Sequence, residues 1–428
     1  MLLVREVVIW LTARLLNIKD MEFRDYQSSI IDKTLDILKT SNFAYLAMEV
    51  RTGKTLTSLG AIDKMGVENA LFLTKKKAIS SIVGDYEKLD NPSFKLTVIN
   101  YESMHKIPTE KWGVVVCDES HSLGAFPKPS KRAKAVKDLI LRTKAKVIFL
   151  SGTPTPESYS QMYHQVYGIA GNPFNAFKNF YRFCDKYVNL KERKINGLMI
   201  KDYSDGRISI IEAVKPYTIS LTQKEAGFET ETKEEVLEVK MLDSTYALAN
   251  KLKKDLVVEG VDEVVLADTP VKLMMKLHQI YSGSVKFEGG NSKVIDYTKA
   301  EFIKEHFKGK KIGIFYKFKE ELNALKKVFG DDLVTELEPF DATDKHIALQ
   351  IVSGREGISL RNADCLVYYN IDFSATSYWQ SKDRMTTKDR LKNNVYWVFS
   401  KGGIESAIYK AVTNKKDYTL SHFKRDSR

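Results

Sequence analysis

The chain has 428 residues, of which 43% are hydrophobic, and 67 Lys+Arg against 55 Asp+Glu give a formal net charge of +12. This length exceeds one ordinary domain of roughly 100–200 residues, and the apolar share argues against large-scale disorder. The basic excess points to a polyanionic partner, while three scattered cysteines (Cys117, Cys184 and Cys365) with no CxxC pair argue against a disulfide framework or zinc site and suit a reducing compartment.

In chain order, residues 1–20 hold a short apolar run, Val7–Ala13, flanked by Arg5, Glu6 and Arg14. It is too short to span a bilayer and no small-residue cleavage site follows, so a short amphipathic helix on the first lobe is expected. With Met21 as the start, the segment becomes a dispensable extension. No other stretch is long and apolar enough for a membrane, and a cytoplasmic protein of a bacterium or phage-infected host is expected.

Ala44–Met48 reads as a strand, followed by a glycine turn and a helical stretch, Leu56–Met65. Ala70–Thr74, Leu96–Ile99, Gly113–Cys117 and Lys146–Leu150 are further strands. Continuous apolar runs separated by helices predict a parallel sheet covered on both faces. Residues 156–215 are rich in Tyr, Phe and Lys, with Lys191, Glu192, Arg193 and Lys194 ahead of Gly197, which suggests added helices and a basic hairpin. Residues 222–268 are highly charged, Glu229 to Glu235 most densely, and read as surface helix or linker with a solvated face. The second half repeats the strand scheme at Lys311–Tyr316, Ile347–Val352, Cys365–Tyr369 and Asn394–Phe399. The expected fold class is α/β: two parallel-sheet lobes in tandem with a helical insert and linker between them. Its divisions are an extension at 1–20, a first lobe at 21–215 including the insert 156–215, a linker and helical region at 216–268, and a second lobe at 269–428.

Three motifs carry chemistry. Thr52-Gly53-Lys54-Thr55 stands between a predicted strand and helix, as a P-loop does. There, backbone N–H groups and the helix N-terminus hold phosphates, Lys54 reaches the β/γ-phosphates and the Thr55 hydroxyl binds Mg²⁺. Met48 occupies the first glycine position of the full pattern. Val114 to His121 is an apolar strand ending in Asp118-Glu119, which puts two carboxylates at the sheet's carboxyl edge. Asp118 suits the Mg²⁺ shell, and Glu119 suits a base that orients the attacking water. Phe149 to Pro154 is a further strand ending in a small polar turn.

In this order the pieces resemble superfamily 2 DExH-type helicases, particularly the Swi/Snf-like branch and its compact phage and bacterial relatives, over about residues 22–420. The resemblance implies two RecA-like lobes, ATP with Mg²⁺, and DNA as the track. Phe23-Arg24-Asp25-Tyr26-Gln27 resembles the opening motif whose Gln reads adenine, which makes Arg24 and Gln27 nucleotide contacts. Met48–Thr55 resembles motif I, and that branch often lacks the first P-loop glycine. Leu71–Lys76 resembles motif Ia and Ile99–Glu102 motif Ib, which touch the nucleic-acid backbone; Lys75, Lys76 and Tyr101 are the implied contacts. Asp118–His121 resembles motif II and Ser151–Pro154 motif III, which gives His121, Ser151 and Thr153 the coupling of hydrolysis to lobe movement.

In the second half, Leu273–Ile280 resembles the helix that opens lobe two, and Ile312–Lys317 resembles motif IV. Ser353–Leu360 resembles motif V, with Ser353 on DNA and Gly357 on the nucleotide. Trp379–Arg384 resembles motif VI, whose Gln380 and Arg384 approach the γ-phosphate. The family's second motif VI arginine falls at Thr387, with Lys388 and Arg390 nearby; Arg390 is the weaker candidate finger. Arg193, Lys194 and the basic tail (Lys415, Lys416, Lys424, Arg425, Arg428) are candidates for electrostatic grip, the tail reading better as solvated surface.

Three functions remain open at this point. The first is a helicase that unwinds or branch-migrates forked or branched DNA, with replication or recombination proteins as partners. The second is a duplex translocase that remodels protein–DNA complexes without unwinding. The third is a nucleic-acid-binding scaffold with a degenerate ATPase, supported by Thr387 and opposed by Lys54, Asp118 and Glu119.

Overall fold

The computed structural model describes residues 22–89, 91–195, 198–229, 231–260, 263–354, 359–385 and 392–414, without the side chains of Arg193, Lys194, Ile195, Leu198, Ile200, Ser353, Thr376, Trp379, Gln380 and Asp383. The expectations for residues 1–20, Gly357, Thr387, Lys388, Arg390 and the basic tail lie outside these residues. The chain forms two compact units, residues 1–227 and 228–428.

The first unit is built on β1 (Phe43–Met48), β2 (Asn69–Thr74), β3 (Lys95–Asn100), β4 (Val114–Cys117), β5 (Lys146–Leu150) and β6 (Thr218–Leu221). They pair in the order β3-β2-β4-β5-β1-β6, every pair parallel, so all six carboxyl ends share one edge. The apolar runs are buried on both faces: every residue of β4 is buried, as is every residue of β5 after Lys146. Helix α1 (Asp25–Thr40) precedes β1 and helix α2 (Lys54–Met65) follows it.

The stretch after β5 holds helices at Phe180–Tyr187 and Ser209–Val214 and an antiparallel hairpin, Lys191–Ile195 with Leu198–Asp202. Its aromatic rings extend the core of the unit. Tyr163 lies against Phe183 at 4.8 Å and Phe180 at 5.7 Å, and Phe174 lies edge-on to Phe183 at 5.0 Å.

The second unit has β7 (Glu231–Val239), β8 (Ile312–Tyr316), β9 (Leu333–Val334), β10 (His346–Gln350), β11 (Cys365–Tyr368) and β12 (Lys392–Ser400). Their order is β9-β10-β8-β11-β12-β7, again with every pair parallel. Two six-stranded parallel sheets in tandem are the two RecA-like lobes expected for this α/β chain. Among the described residues no helix is long and apolar enough to cross a membrane.

Two segments differ from the sequence reading. Residues 216–268, read as linker and surface helix, supply β6 to the first sheet and β7 to the second, as well as the helix Asp243–Asp255. The β7 register pairs Glu231 with Lys392 and runs nine residues to Val239 opposite Ser400. Its charges hide it because an edge strand tolerates, and is protected by, charged side chains. Val352, expected at a strand end, lies in the short helix Ile351–Gly354 and is exposed. A brief apolar run does not by itself separate a buried strand from the helix that follows it.

Candidate nucleotide site

Strand β1 ends at Met48, and the loop to α2 turns through Arg51 (φ 63°) and Gly53 (φ 82°). The left-handed backbone at Gly53 and its close neighbour both require glycine, since a Cβ there would run into Gln27 Nε2. Helix α2 then starts at Lys54 with no side-chain cap from Gly53, and a helix N-terminus of this kind is suited to an anion. The Glu49 carbonyl gathers the loop, accepting from Thr52 Oγ1 at 2.7 Å, Thr52 N at 3.4 Å and Lys54 Nζ at 3.2 Å.

Gln27, at the start of α1, is buried beneath this loop and accepts the Arg24 backbone N–H at 3.0 Å. Arg24 Nη1 donates to Tyr26 Oη at 2.9 Å, and Tyr26 Oη donates to the Thr52 carbonyl at 3.2 Å. Arg24 and Gln27 are therefore brought to the P-loop, although they stand 25 residues or more before it in the chain. One participant gave no sequence signal. Gln223 donates its backbone N–H to Glu49 Oε2 at 2.7 Å and its side-chain amide to the Val50 carbonyl at 3.0 Å.

The carboxyl ends of β4 and β5 reach the same edge. Asp118 follows β4, and its Oδ2 accepts from Thr74 Oγ1, at the end of β2, at 2.8 Å. Burial pushes the Asp118 carboxyl up to about 6, helped by the charge of Glu119 and opposed by the Thr74 hydrogen bond and the Lys54 ammonium. Glu119 adopts a left-handed backbone (φ 47°), which turns its side chain back toward His121. Glu119 Oε2 lies 3.2 Å from His121 Nδ1, and the same nitrogen is 3.1 Å from Ser151 Oγ, at the end of β5. Ser151 Oγ also accepts the Thr153 N–H at 3.1 Å. Glu119, His121, Ser151 and Thr153 thus form one continuous chain of contacts. The turn lies close to the loop after β1: a Cβ on Gly152 would make ordinary contacts, 3.4 Å from the Met48 carbonyl and 3.6 Å from Lys54 Nζ.

The residues expected on the nucleic-acid backbone separate. Lys76 and Lys77 are exposed just after β2, with Lys75 half-buried. Tyr101 is 5% exposed, its hydroxyl donates to the Asp118 carbonyl at 2.6 Å, and the Arg132 guanidinium lies 4.7 Å over its ring. A buried phenol that donates to a backbone carbonyl supports the Asp118 turn. In the second unit Ser353 lies in the helix Ile351–Gly354 and Gln380 in Ala375–Ser381. Arg384 is buried in the turn Lys382–Met385, and its carbonyl accepts the Leu360 N–H at 2.8 Å.

The first unit's edge offers an ammonium (Lys54), a helix N-terminus without a side-chain cap and oxygen donors (Thr55 hydroxyl, Asp118 carboxylate). Phosphates fit the first two. A hard cation such as Mg²⁺, which keeps several waters and leans on substrate phosphates, fits the last. The raised Asp118 pKa agrees with a carboxylate that a nearby cation would relieve.

Residues 77–282 match the family model of the SNF2-related domain, a stretch just under half of the chain. No curated protein matches the chain. Among solved structures, the Sulfolobus solfataricus SWI2/SNF2 ATPase core in complex with dsDNA is similar at 15% identity, covering 95% of this chain and 93% of that one with a TM-score of 0.41. The same organism's SWI2/SNF2 ATPase core domain is similar at 16% identity, covering 96% and 92%, with a TM-score of 0.41. The ATP-dependent Type ISP restriction-modification enzyme LlaBIII bound to DNA is similar at 12% identity over 89% of this chain and 28% of that one, with a TM-score of 0.48. At these values the fold rests on the two sheets themselves.

Proposed function

We propose that this chain is a Swi/Snf-like superfamily 2 motor, a DNA-dependent ATPase that turns ATP hydrolysis into movement along DNA. The observation that carries the reading is the contact chain Glu119–His121–Ser151–Thr153 beside Lys54. It joins the carboxylate suited to activating water to the turn that follows β5, so loss of the γ-phosphate is felt at a second strand end. The SNF2-related match over residues 77–282 includes both of these strand ends and supports the same reading.

In this mechanism Lys54 binds the β/γ-phosphates, Thr55 and Asp118 take the Mg²⁺ shell, and Glu119 accepts the proton of the attacking water. Bound Mg²⁺ supplies charge neutralisation at the phosphates. Gln27 and Arg24 hold the base end of the nucleotide. Arg384 and Gln380 are the second lobe's contribution, assigned from the motif VI resemblance. Lys75 and Lys76 grip backbone phosphates, which positions without reading sequence.

For the finer activity, unwinding or branch migration of forked and branched DNA is the first reading. Duplex translocation without unwinding is the second, and the SNF2-related match favours it. Phosphate release with forks, four-way junctions, duplex, single strands and RNA tests the common part: DNA stimulates it and Lys54→Ala abolishes it. A purified protein that splits no ATP with any polynucleotide refutes the motor. Strand release from forks selects the first reading, and third-strand displacement from a triplex without strand release selects the second.

A further inference from the structure

Strand β7 carries the densest charge of the chain, yet the Glu234 side chain is only 16% exposed. Its carboxylate collects donors from four elements. These are Tyr378 Oη of helix α3 (Ala375–Ser381) at 2.8 and 2.9 Å, Lys382 Nζ at 3.1 Å, Trp397 Nε1 of β12 at 3.0 Å, and Tyr409 Oη of helix α4 (Glu405–Thr413) at 3.4 Å. The rings around it pack on one another, Tyr378 on Trp397 at 5.3 Å and Trp397 on Tyr409 at 5.5 Å.

Stability alone does not call for a carboxylate here. Burying one is costly, and replacing buried charge by apolar groups of like volume is often neutral or favourable. What the carboxylate adds is geometry, because four donors with fixed directions define where α3 and the turn after it must lie. Burial and the Glu234 carboxylate hold the Tyr378 hydroxyl well above its usual pKa, so it stays a donor. Lys382 and Arg384 share the turn Lys382–Met385, which Glu234 holds through Lys382 on one side and the Leu360 N–H holds through the Arg384 carbonyl on the other.

We propose that Glu234 is a positioning residue for Arg384: by gathering Tyr378, Lys382, Trp397 and Tyr409 it sets the direction in which the Arg384 guanidinium is presented. The proposal rests on the reading of Arg384 as the arginine that approaches the γ-phosphate. Small misplacement of such a group costs up to about 100-fold in rate while nucleotide binding to the first lobe is untouched.

The test is steady-state, DNA-stimulated ATP hydrolysis by the full chain and its Glu234→Gln, Lys382→Met, Arg384→Ala and Glu234→Gln/Arg384→Ala variants, each with a melting curve. Glu234→Gln is expected to lower kcat on the order of 10- to 100-fold with KM for ATP changed less than about twofold. In the Arg384→Ala background it is expected to cost nothing further, because it acts only through that arginine. Should Glu234→Gln fail to fold, Lys382→Met carries the same expectation of a kcat loss that vanishes without Arg384. Arg384→Ala with wild-type kcat overturns the reading of Arg384 and this proposal with it. A crippled Arg384→Ala beside an unimpaired or fully additive Glu234→Gln overturns this proposal alone.

Discussion

Replacing Asp118 by Asn should stabilise the nucleotide-free first lobe, by an amount that depends on pH in a defined direction. The carboxyl is held at about 6 against an ordinary 3.8, chiefly by burial and then by Glu119. Between those two values the folded lobe keeps a proton that the unfolded chain has released. Stability contributed by this group is therefore full below 3.8 and is lost as pH rises through 6. The whole interval corresponds to roughly 3 kcal/mol, and the coupling to Glu119 and residual solvent bring the working figure to about 1–3 kcal/mol. Asn keeps the acceptor for Thr74 Oγ1 and has no charge to bury. The gain from Asp118→Asn should be near zero at pH 4, about half developed at pH 5, and constant above pH 7. For a lobe of this size it amounts to roughly 2–10 °C in the first-lobe melting transition. Scanning calorimetry of both proteins at pH 5, 6, 7 and 8 without nucleotide reads this directly, and ATP hydrolysis should be lost in the same variant. A variant that melts lower than the parent at pH 8, or a gain that ignores pH, would falsify the burial argument.

Two further outcomes follow from geometry elsewhere. Tyr101→Phe should cost about 1 kcal/mol of stability by orphaning the Asp118 carbonyl. It should leave the salt dependence of DNA binding unchanged, whereas Lys75→Ala and Lys76→Ala should each lower that slope by about one; a flatter slope in Tyr101→Phe would return that residue to the track. In the second lobe, Lys299 and Glu405 form an ion pair at 2.7 Å with both side chains fully buried. Lys299→Met should cost about 3–5 kcal/mol in urea unfolding and the double change with Glu405→Leu far less; equal losses would show that the ion pair is not what matters.

The sheets were legible where strands are apolar throughout, as at Val114–Cys117 and Lys146–Leu150, because burial on both faces leaves no other composition. Strand β7 was not legible, since its sequence, ETKEEVLEV, shows charge where pairing with β12 supplies the structure. Glu234 illustrates the difficulty: within a run of acids nothing marks the one whose carboxylate turns inward. The strand, glycine turn and helix around Gly53 and the acidic pair at the end of β4 were readable because their signals are local in sequence. The Glu119–His121–Ser151 contacts were not, because they depend on the left-handed turn at Glu119, which the sequence does not announce. The burial of Tyr101 and its bond to the Asp118 carbonyl were not readable, because proximity to a family motif does not say which way a ring points. Gln223 was invisible because an uncharged amide after a strand is too common to single out.

That glutamine stands close in sequence to the passage between the two units. The chain passes from the first unit to the second once, at residues 227 and 228. Four residues earlier Gln223 is hydrogen-bonded to the Glu49 carboxylate and the Val50 carbonyl. Glu49 is also the residue whose carbonyl holds Thr52 and Lys54. A phosphate that draws Lys54 away exchanges a neutral acceptor for an anionic one, roughly twice as strong a partner, while both Thr52 contacts with the same carbonyl remain. In the proposed ATPase the loop would thus be shaped before nucleotide arrives and would lose little on binding it. The residues just before the connection are thus tied to Glu49 and Val50 by two hydrogen bonds, each between a backbone group and a side chain. If the proposed ATPase binds nucleotide at Lys54, Glu49 and Val50 would be a short route from that site to the residues before the connection.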